Sequence, residues 1–270
     1  MTRKRLDAEL VRRGLVGSAD EAAELIGTGR VTVAGHAEVK PETLVSASEP
    51  VAVKSEERRY ASRGGEKLAA ALDAFEVDPS GKVCLDAESS TGGFTDVLLA
   101  RGAARVVAVD VGYGLLAWHL RTDQRVTVME RTNARDLRSD DLPARPAIVT
   151  ADLSFISLAT VIPALVAIAE RDADMVLLVK PQFEADRSEV ARGGVVGNVD
   201  VWRRVIESVA EASRSAGAGV LGSMASPLPG PAGNVEFFLH ARVGARDSEV
   251  GLDEALRAGA VLRRVKGEAS

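Results

Sequence analysis

Two amines and two carboxyl groups stand at the ends of apolar segments in this sequence, where α/β proteins carry reactive side chains. The four residues are Lys67, Asp152, Lys180 and Glu236. A lysine that is desolvated or crowded by another cation gives up its proton more readily, whereas a nearby carboxylate orients the amine and opposes that change. Such a set is useful for proton transfer only if a lysine is tuned in this way.

Simpler roles remain open for two of these residues. Taken alone, Lys67 is typical of a solvated helix lysine, and Glu236 is typical of a partner in a structural ion pair. Lys180 differs, because it follows five apolar residues and precedes Pro181, which places it where a buried strand ends. Asp152 follows a similar run, so we expect Lys180 and Asp152 at the carboxyl edge of a sheet.

A polar, glycine-containing loop at residues 86–94 follows the first predicted strand of the main domain. In an open parallel sheet, ligands bind beyond the carboxyl ends of the strands at such a turn. The loop lacks the GxGxxG spacing of a dinucleotide site, which disfavours a nicotinamide enzyme. Asp110 ends the next strand, where a carboxylate is placed to accept hydrogen bonds from ribose hydroxyls, although an aspartate at a strand end is also a common turn former.

Residues that could serve other chemistry are scattered. The three histidines and the single cysteine, Cys84, show no metal-ligand spacing, so we expect no metal site and a buried, inert thiol. Tyr113 and Trp118 are suited either to stacking on a base or to helix packing. Phe155 and Phe183 lie shortly after Asp152 and Lys180 in the sequence and could flank a bound substrate.

Apolar patterns of strand and helix length alternate from residue 66 onward. This alternation predicts an α/β domain of the Rossmann-like class, with a parallel sheet covered by helices on both faces. The predicted strands are 83–86, 106–110, 126–129, 147–151, 175–179, 220–224 and 235–240, and the predicted helices are 67–75, 93–100, 115–120, 158–170 and 201–216.

The first 54 residues have a different pattern, and we interpret them as a small α+β domain. Ser18 and Glu21 form a capping-box signature for the second of two short helices, and small strands follow at 30–33 and 51–53. So few large apolar side chains favour a docking module over an enzyme. Residues 55–65 are polar and are predicted to be a linker, which leaves 66–270 as the main domain.

Composition excludes several classes of protein. The formal net charge of −5 argues against indiscriminate binding to polyanions, although the N-terminal edge is locally basic. No apolar run approaches the roughly 20 residues of a membrane-spanning helix, and the N-terminus lacks a secretory signal pattern. We therefore expect a cytoplasmic protein; the sequence does not indicate its oligomeric state.

The N-terminal segments 5–14 (RLDAELVRRG) and 22–33 (AAELIGTGRVTV) resemble the RNA-binding fold of small-subunit ribosomal protein S-four. The same fold stands N-terminal to the catalytic domain in certain RNA-modifying enzymes. Its RNA contacts lie on its paired helices. The resemblance implies that basic side chains here lie near phosphates and position RNA without reading bases. The implied RNA-binding residues are Arg3, Lys4, Arg5, Arg12, Arg13 and Arg30.

Five motifs of the main domain, taken together, resemble the TlyA family, whose members methylate ribose 2′-hydroxyls of ribosomal RNA and of which some are named haemolysins. The motifs are DAESSTGGFT (86–95), VDVGYGLLAW (109–118), ADLSFISL (151–158), VKPQFE (179–184) and SPLPGPAGNVE (226–236). The resemblance implies an S-adenosylmethionine-dependent enzyme acting on ribosomal subunits. The implied cofactor residues are Asp86, Ala87, Ser90, Thr91, Gly92, Gly93 and Asp110.

The same resemblance assigns roles to the four candidate catalytic residues, which match the lysine, aspartate, lysine, glutamate tetrad of ribose 2′-O-methyltransferases. It implies that Lys180 is the general base and that Asp152 orients it. It further implies that Lys67 and Glu236 hold the hydroxyl and tune the charges.

Glu88 departs from the family pattern, in which glycine follows the Asp-Ala pair. A glutamate adds bulk and negative charge where glycine permits a tight turn, so we expect Glu88→Gly to bind S-adenosylmethionine more tightly. Two alternative functions follow from the sequence. The first is an RNA-binding protein with catalysis impaired by Glu88, and the second is a membrane-lytic protein, for which no cationic amphipathic helix is found.

Overall fold

A computed structural model describes residues 3–37, 39–54, 59–248 and 250–267. The chain divides into two compact units, residues 1–58 and 59–270. Residues 59–65, which the sequence assigned to a linker, thus belong to the second unit, and its first helix already begins at Arg63. Residues 55–58 of the predicted linker lie outside the described residues.

The first unit consists of two helices and two small antiparallel strand pairs. Ser18 Oγ accepts a hydrogen bond from the Glu21 N–H and begins the second helix, as the capping signature predicts. The Glu21 carboxylate accepts from Gly17 N. Leu6, Leu10 and Ile26 are buried in its small core. The elements are β1 (Lys4–Arg5), α1 (Leu6–Arg12), α2 (Ala19–Gly27), β2 (Val31–Val33), β3 (Leu44–Val45) and β4 (Val51–Val53), with β1 paired to β3 and β2 to β4.

The second unit alternates strands and helices along the chain. Its first half consists of α3 (Arg63–Ala74), β5 (Val83–Ala87), α4 (Gly93–Ala100), β6 (Arg105–Asp110), α5 (Trp118–Arg121), β7 (Val126–Glu130) and β8 (Ile148–Ala151). Its second half consists of α6 (Leu158–Ile168), β9 (Asp174–Val179), α7 (Pro181–Glu184), α8 (Val199–Ser215), β10 (Ala218–Ala225), β11 (Phe237–Val243) and α9 (Leu252–Gly267).

Seven strands of this unit form one sheet in the order β10-β11-β9-β8-β5-β6-β7. The strands from β9 to β7 are parallel, whereas β11 runs antiparallel to both of its neighbours. The chain leaves β5 toward β6 and β7 and then returns to the other side of β5 as β8. The crevice between the carboxyl ends of β5 and β8 is therefore a topological switch point, where ligands of such sheets bind.

The two faces of the sheet are covered by different helices because successive strand residues point to opposite sides. On one face, Cys84, Val106 and Phe238 pack in a core that includes buried residues of α3 and α4. On the other face, alternate residues of the same strands pack with α6, α8 and α9. The predicted burial of Cys84 is confirmed, and burial raises the pKa of its thiol to about 12.

Helices α3 and α4 approach each other closely at their N-terminal ends because glycines stand there. A Cβ placed on Gly93 would lie 2.1 Å from Ser62 Oγ and 3.0 Å from the backbone nitrogen of Gly65. A Cβ on Gly65 would in turn lie 2.4 Å from the Cβ of the buried Tyr60. This packing sets where the first turns of α3, and with them Lys67, lie relative to the loop between β5 and α4.

The predicted α/β class, with a Rossmann-like sheet, is confirmed, although several details differ from the sequence prediction. The sheet is not wholly parallel, since β11 is reversed. The helix predicted at 115–120 is only the single turn of α5. Helix α9 was not predicted, although Leu252, Ala255 and Leu256 form an apolar stripe after Gly251, and the last two of these are buried.

We expect Gly93→Ala to lower the free energy of unfolding by about 1 to 3 kcal/mol, since the added methyl group overpacks the contact between α3 and α4. Denaturant unfolding of the variant and the parent measures this difference. Gly27→Ala is the control, because a Cβ there meets no atom within 4 Å. Equal destabilisation by the two substitutions would contradict the close approach of α3 and α4 at Gly93.

Candidate active site

Lys67 and Glu236 form a buried ion pair. The Nζ of Lys67 donates to Oε2 of Glu236 at 2.6 Å, and the two residues are 6% and 1% exposed. Lys67 is therefore not the solvated helix lysine that its position alone would suggest. The other carboxylate oxygen of Glu236 packs against Gly230, where an added Cβ would lie 2.4 Å from Oε1.

The reversed direction of β11 brings Glu236 to the same sheet edge as Lys180. Phe237 pairs with Val179 in the register of β11 and β9. Glu236 immediately precedes Phe237 and Lys180 immediately follows Val179, so the two charged residues stand opposite each other just beyond the last pair. A parallel last strand would have placed Glu236 at the opposite edge.

Lys180 forms the second ion pair of this edge. Its Nζ lies 2.7 Å from Oδ1 of Asp152, in a geometry that is an ion pair rather than an aligned hydrogen bond. The same amine donates to Oγ of Ser154 at 3.1 Å. It also lies 5.6 Å from the ring centroid of Phe183. The structure thus brings the four predicted catalytic residues to one edge as two ion pairs.

Asp86 lies at the end of β5 with no exposed surface. Its Oδ2 accepts from the backbone nitrogen and the hydroxyl of Thr95 at 2.9 and 2.7 Å, which ties β5 to the first turn of α4. Its Oδ1 is buried without a hydrogen-bond partner among the described residues. Burial raises the pKa of Asp86 to about 7, and the nearby carboxylates of Asp152 and Asp110 add to the rise.

Asp110 closes the neighbouring side of the crevice. Its Oδ2 accepts from Ser90 N and its Oδ1 from Gly112 N, both at 2.7 Å. The carboxylate therefore links the loops after β5 and β6. Each carboxylate oxygen retains a second lone pair. These bonds are therefore compatible with the prediction that Asp110 accepts hydrogen bonds from ribose hydroxyls.

The remaining predicted cofactor residues form the turn between β5 and α4. Ala87 is buried in the sheet, whereas Ser90 and Thr91 are exposed. Gly92 adopts a φ of +96°, and a Cβ there would lie 2.2 Å from Leu120 Cδ1. Gly92 and Gly93 are thus required by the packing of α4 against neighbouring segments.

Glu88 reaches across the crevice between β5 and β8. Its φ is +61°, in the left-handed region that favours glycine. Its Oε2 accepts from the backbone nitrogen of Ser154 at 2.7 Å. Burial raises the pKa of Glu88, and the Ser154 N–H opposes the rise. The side chain therefore faces the site.

Large side chains are exposed around this edge. Phe155 is 89% exposed with a φ of +63°, and its ring centroid lies 5.0 Å from that of Phe183. Trp118 is 76% exposed, which favours the stacking role over the packing role that the sequence left open. Tyr113 is also exposed, and the guanidinium carbon of Arg131 lies 4.6 Å from its ring centroid.

Three residues that support the site were not singled out from the sequence. Thr95 anchors Asp86, Ser154 joins Glu88 to Lys180, and Gly230 accommodates Glu236. Each of the three lies within one of the sequence motifs, which indicated that its segment is near the site. Nothing in their residue types indicated these partners, which come from segments distant in sequence.

The six predicted RNA-binding residues of the first unit differ in exposure. Arg3, Lys4, Arg5 and Arg12 are exposed, and Lys4 and Arg5 lie on β1 rather than on a helix. Arg5 pairs with Asp7 at 2.6 Å. Arg30 is half-buried and donates to the carbonyl of Lys54.

Arg13 is held inside the first unit. It donates to the Glu9 carboxylate and to the carbonyl oxygens of Glu49 and Ser46, which ties α1 to the turn after β3. Arg12 also donates to Glu9, and the two guanidinium groups lower the pKa of Glu9 to about 2. These bonds give Arg13 a structural role in addition to any contact with a partner.

The described part of the chain shows neither a metal-binding cluster nor a membrane-spanning helix. No three histidine, cysteine, aspartate or glutamate side chains there are grouped as metal ligands. No helix within the same residues is long and apolar enough to cross a membrane.

Comparison with known proteins gives three related matches. Residues 60–243 match the FtsJ-like methyltransferase family. The chain is 56% identical over 241 residues to the 16S/23S rRNA (cytidine-2′-O)-methyltransferase TlyA of Mycobacterium tuberculosis, covering 89% of this chain and 90% of that protein. A haemolysin-named structure from Streptococcus thermophilus is 34% identical with a TM-score of 0.78 and covers 99% of both chains.

A more distant structure shares only the fold. An S-adenosylmethionine-dependent methyltransferase from Listeria monocytogenes superposes with a TM-score of 0.51 at 16% identity, covering 67% of this chain and 99% of that chain. The seven-stranded unit therefore has the fold of this class of methyltransferase.

We expect Asp86→Asn to stabilise the protein in a pH-dependent way. The pKa of Asp86 in the folded chain is raised, so its stabilising contribution is complete below about pH 4 and is lost as the pH rises through about 7. Asparagine keeps an acceptor for Thr95 without the charge. The free energy of unfolding of the variant, relative to the parent, should therefore be higher at about pH 8 than at about pH 5.

Denaturant unfolding at the two pH values measures this effect. Asp140→Asn is the control, since Asp140 is exposed and its neutralisation removes no buried charge. If the free energy of unfolding of Asp86→Asn differs from that of the parent by the same amount at both pH values, Asp86 does not ionise as a buried carboxyl group in this range.

Proposed function

This chain belongs to the FtsJ-like methyltransferase family, together with the TlyA proteins, and we propose that it methylates ribose 2′-hydroxyl groups of ribosomal RNA. One observation supports the proposal: the Lys67–Glu236 and Lys180–Asp152 pairs lie at the same sheet edge, beside the crevice between β5 and β8. The methyltransferase fold binds a methyl donor, and this set of amines and carboxyl groups suits a hydroxyl group as the methyl acceptor.

The residues around the crevice fit S-adenosylmethionine. Its α-ammonium and sulfonium groups are positive, and the carboxyl groups of Asp86, Asp110 and Asp152 surround the place where they would lie. The buried Oδ1 of Asp86 lacks a partner among the described residues, so a donor from the ligand, direct or through water, would satisfy it. Asp110 would hold the ribose hydroxyls.

S-adenosylmethionine supplies a methyl group bound to a positively charged sulfur. The cofactor would supply that methyl group to the 2′-oxygen of the RNA, and the amine of Lys180 would accept the hydroxyl proton. Asp152 and Ser154 orient that amine. Lys67, held by Glu236, donates toward the 2′-oxygen.

The first unit would position the RNA. Its exposed basic residues suit phosphate contacts, and we propose the S-four-like RNA-binding role for residues 1–54 on the resemblance of their sequence. Phe155 and Phe183 would flank the target nucleotide beside Lys180. The substrate we propose is an assembled ribosomal subunit or its RNA, which places the enzyme in the cytoplasm.

The alternative functions lack support. Impaired catalysis was inferred from Glu88, whose side chain is accommodated by a hydrogen bond to Ser154. The haemolysin name of one similar structure is not matched by a membrane-spanning helix among the residues that the structure describes.

Nucleoside analysis of the product tests the proposed function. Purified small and large ribosomal subunits are incubated with the enzyme and S-adenosylmethionine carrying a deuterated methyl group, and the RNA is digested for mass spectrometry. We expect label in 2′-O-methyl nucleosides. Label on a base, or no label in either subunit, would refute the proposal.

Replacing the proposed base should abolish transfer without affecting binding of RNA. We expect Lys180→Ala to lower kcat at least about a hundredfold, because the hydroxyl proton loses its acceptor. Lys82→Ala is the control, since Lys82 precedes β5 at the opposite edge of the sheet. Single-turnover methyl transfer and RNA binding are measured for both, and parental rates for Lys180→Ala would contradict its role.

The basic edge of the first unit should determine how RNA binding responds to salt. We expect the triple variant with Arg3, Lys4 and Arg5 changed to Gln to bind RNA more weakly. The slope of log K against log salt should become shallower by about 2 to 3, since fewer counterions are released. Lys40→Gln, another exposed cation of this unit, is the control. An unchanged slope for the triple variant would contradict phosphate contacts at this edge.

A further inference from the structure

Glu88 has a backbone conformation that its residue type disfavours. At a φ of +61°, the Cβ of an L residue crowds the neighbouring backbone. Such conformations persist where the surrounding contacts over-determine them, and they concentrate at functional sites. The contact that holds this side chain is the 2.7 Å hydrogen bond from the Ser154 N–H to Glu88 Oε2.

This hydrogen bond spans the point where two neighbouring strands separate. Ala87 and Ala151 are the last paired residues of β5 and β8. Beyond them, Asp152 N still donates to Ala87 O at 3.3 Å. The next link between the two loops is the hydrogen bond from Ser154 N to the side chain of Glu88. The Glu88 carboxylate therefore continues the link between the two loops past the end of the sheet.

Ser154 connects this link to the proposed base. Its hydroxyl accepts a hydrogen bond from Lys180 Nζ, and Asp152 in the same loop lies 2.7 Å from that nitrogen. The amine also donates to the backbone carbonyl of Asp152 at 3.5 Å, so three of its contacts come from residues 152–154. The position of this loop decides the direction of the amine.

We propose that Glu88 is a positioning residue for methyl transfer, which holds the loop at Ser154 so that Ser154 and Asp152 orient the amine of Lys180. The inference rests on the proposed methyl transfer. Glu88 acts through the loop and not by contact with the reacting atoms. Burial raises the pKa of Glu88, and the charges of Asp110 and Lys180 oppose each other in their effect on it.

Glycine and glutamine at position 88 separate this role from backbone strain. Glu88→Gly is suited to the left-handed φ and should fold, but it cannot hold Ser154. We expect its kcat to fall about tenfold, with the KM for RNA unchanged and the Kd for S-adenosylmethionine equal or lower. Glu88→Gln retains a carbonyl oxygen that can accept from Ser154 N, and it should keep kcat within about twofold of the parent.

Steady-state kinetics on ribosomal subunits and calorimetry with S-adenosylmethionine give these values. A parental kcat in Glu88→Gly, or an equal loss in Glu88→Gln, would overturn the positioning role. So would a weaker Kd in Glu88→Gly, which would make Glu88 a cofactor contact. If the parent itself transfers no methyl group, the proposed function fails; if the parent is active and Glu88→Gly matches it, only this inference fails.

A double variant tests the route through Ser154. Ser154→Ala removes the hydroxyl that accepts from Lys180 and keeps the main-chain N–H that binds Glu88. If Glu88 acts through this residue, the double variant Glu88→Gly/Ser154→Ala loses less kcat than the product of the two single losses. Fully multiplicative losses would overturn the route.

Discussion

The ion pair between Lys67 and Glu236 is the contact on which the arrangement of the site depends. It joins the start of α3 to the start of β11, across 169 positions of sequence, and both side chains are buried. Removing one partner of a buried pair typically costs about 3 to 5 kcal/mol, because the other charge is left without a partner or water. The pair therefore holds the first and last segments of the site together.

The rest of the site is dominated by carboxyl groups that repel one another. Asp86, Asp110 and Asp152 lie around the crevice, and the repulsion adds to the effect of burial on the pKa of Asp86. Lys180 offsets part of this charge from its position beside Asp152. A positively charged ligand would relieve more of the repulsion, so these carboxyl groups favour binding of a sulfonium cofactor.

Much of this arrangement could be predicted from sequence because the ends of parallel strands share an edge. That rule alone predicts the location of Asp86, Asp152 and Lys180. Glu236 does not, since its place depends on the reversal of β11, which no local pattern indicates. Glu88 was interpreted as an obstacle, because a sequence shows its bulk and charge but not its bond to Ser154. The need for Gly93 likewise comes from its neighbours in space.

We propose that the two ion pairs act as one catalytic unit. The kcat values of Lys67→Met, Lys180→Met and the double variant measure this coupling, and thermal unfolding establishes that each variant is folded. Residues that act together give grossly non-additive losses. We expect the double variant to be about as slow as the slower single variant. A double variant whose loss equals the product of the single losses would contradict it.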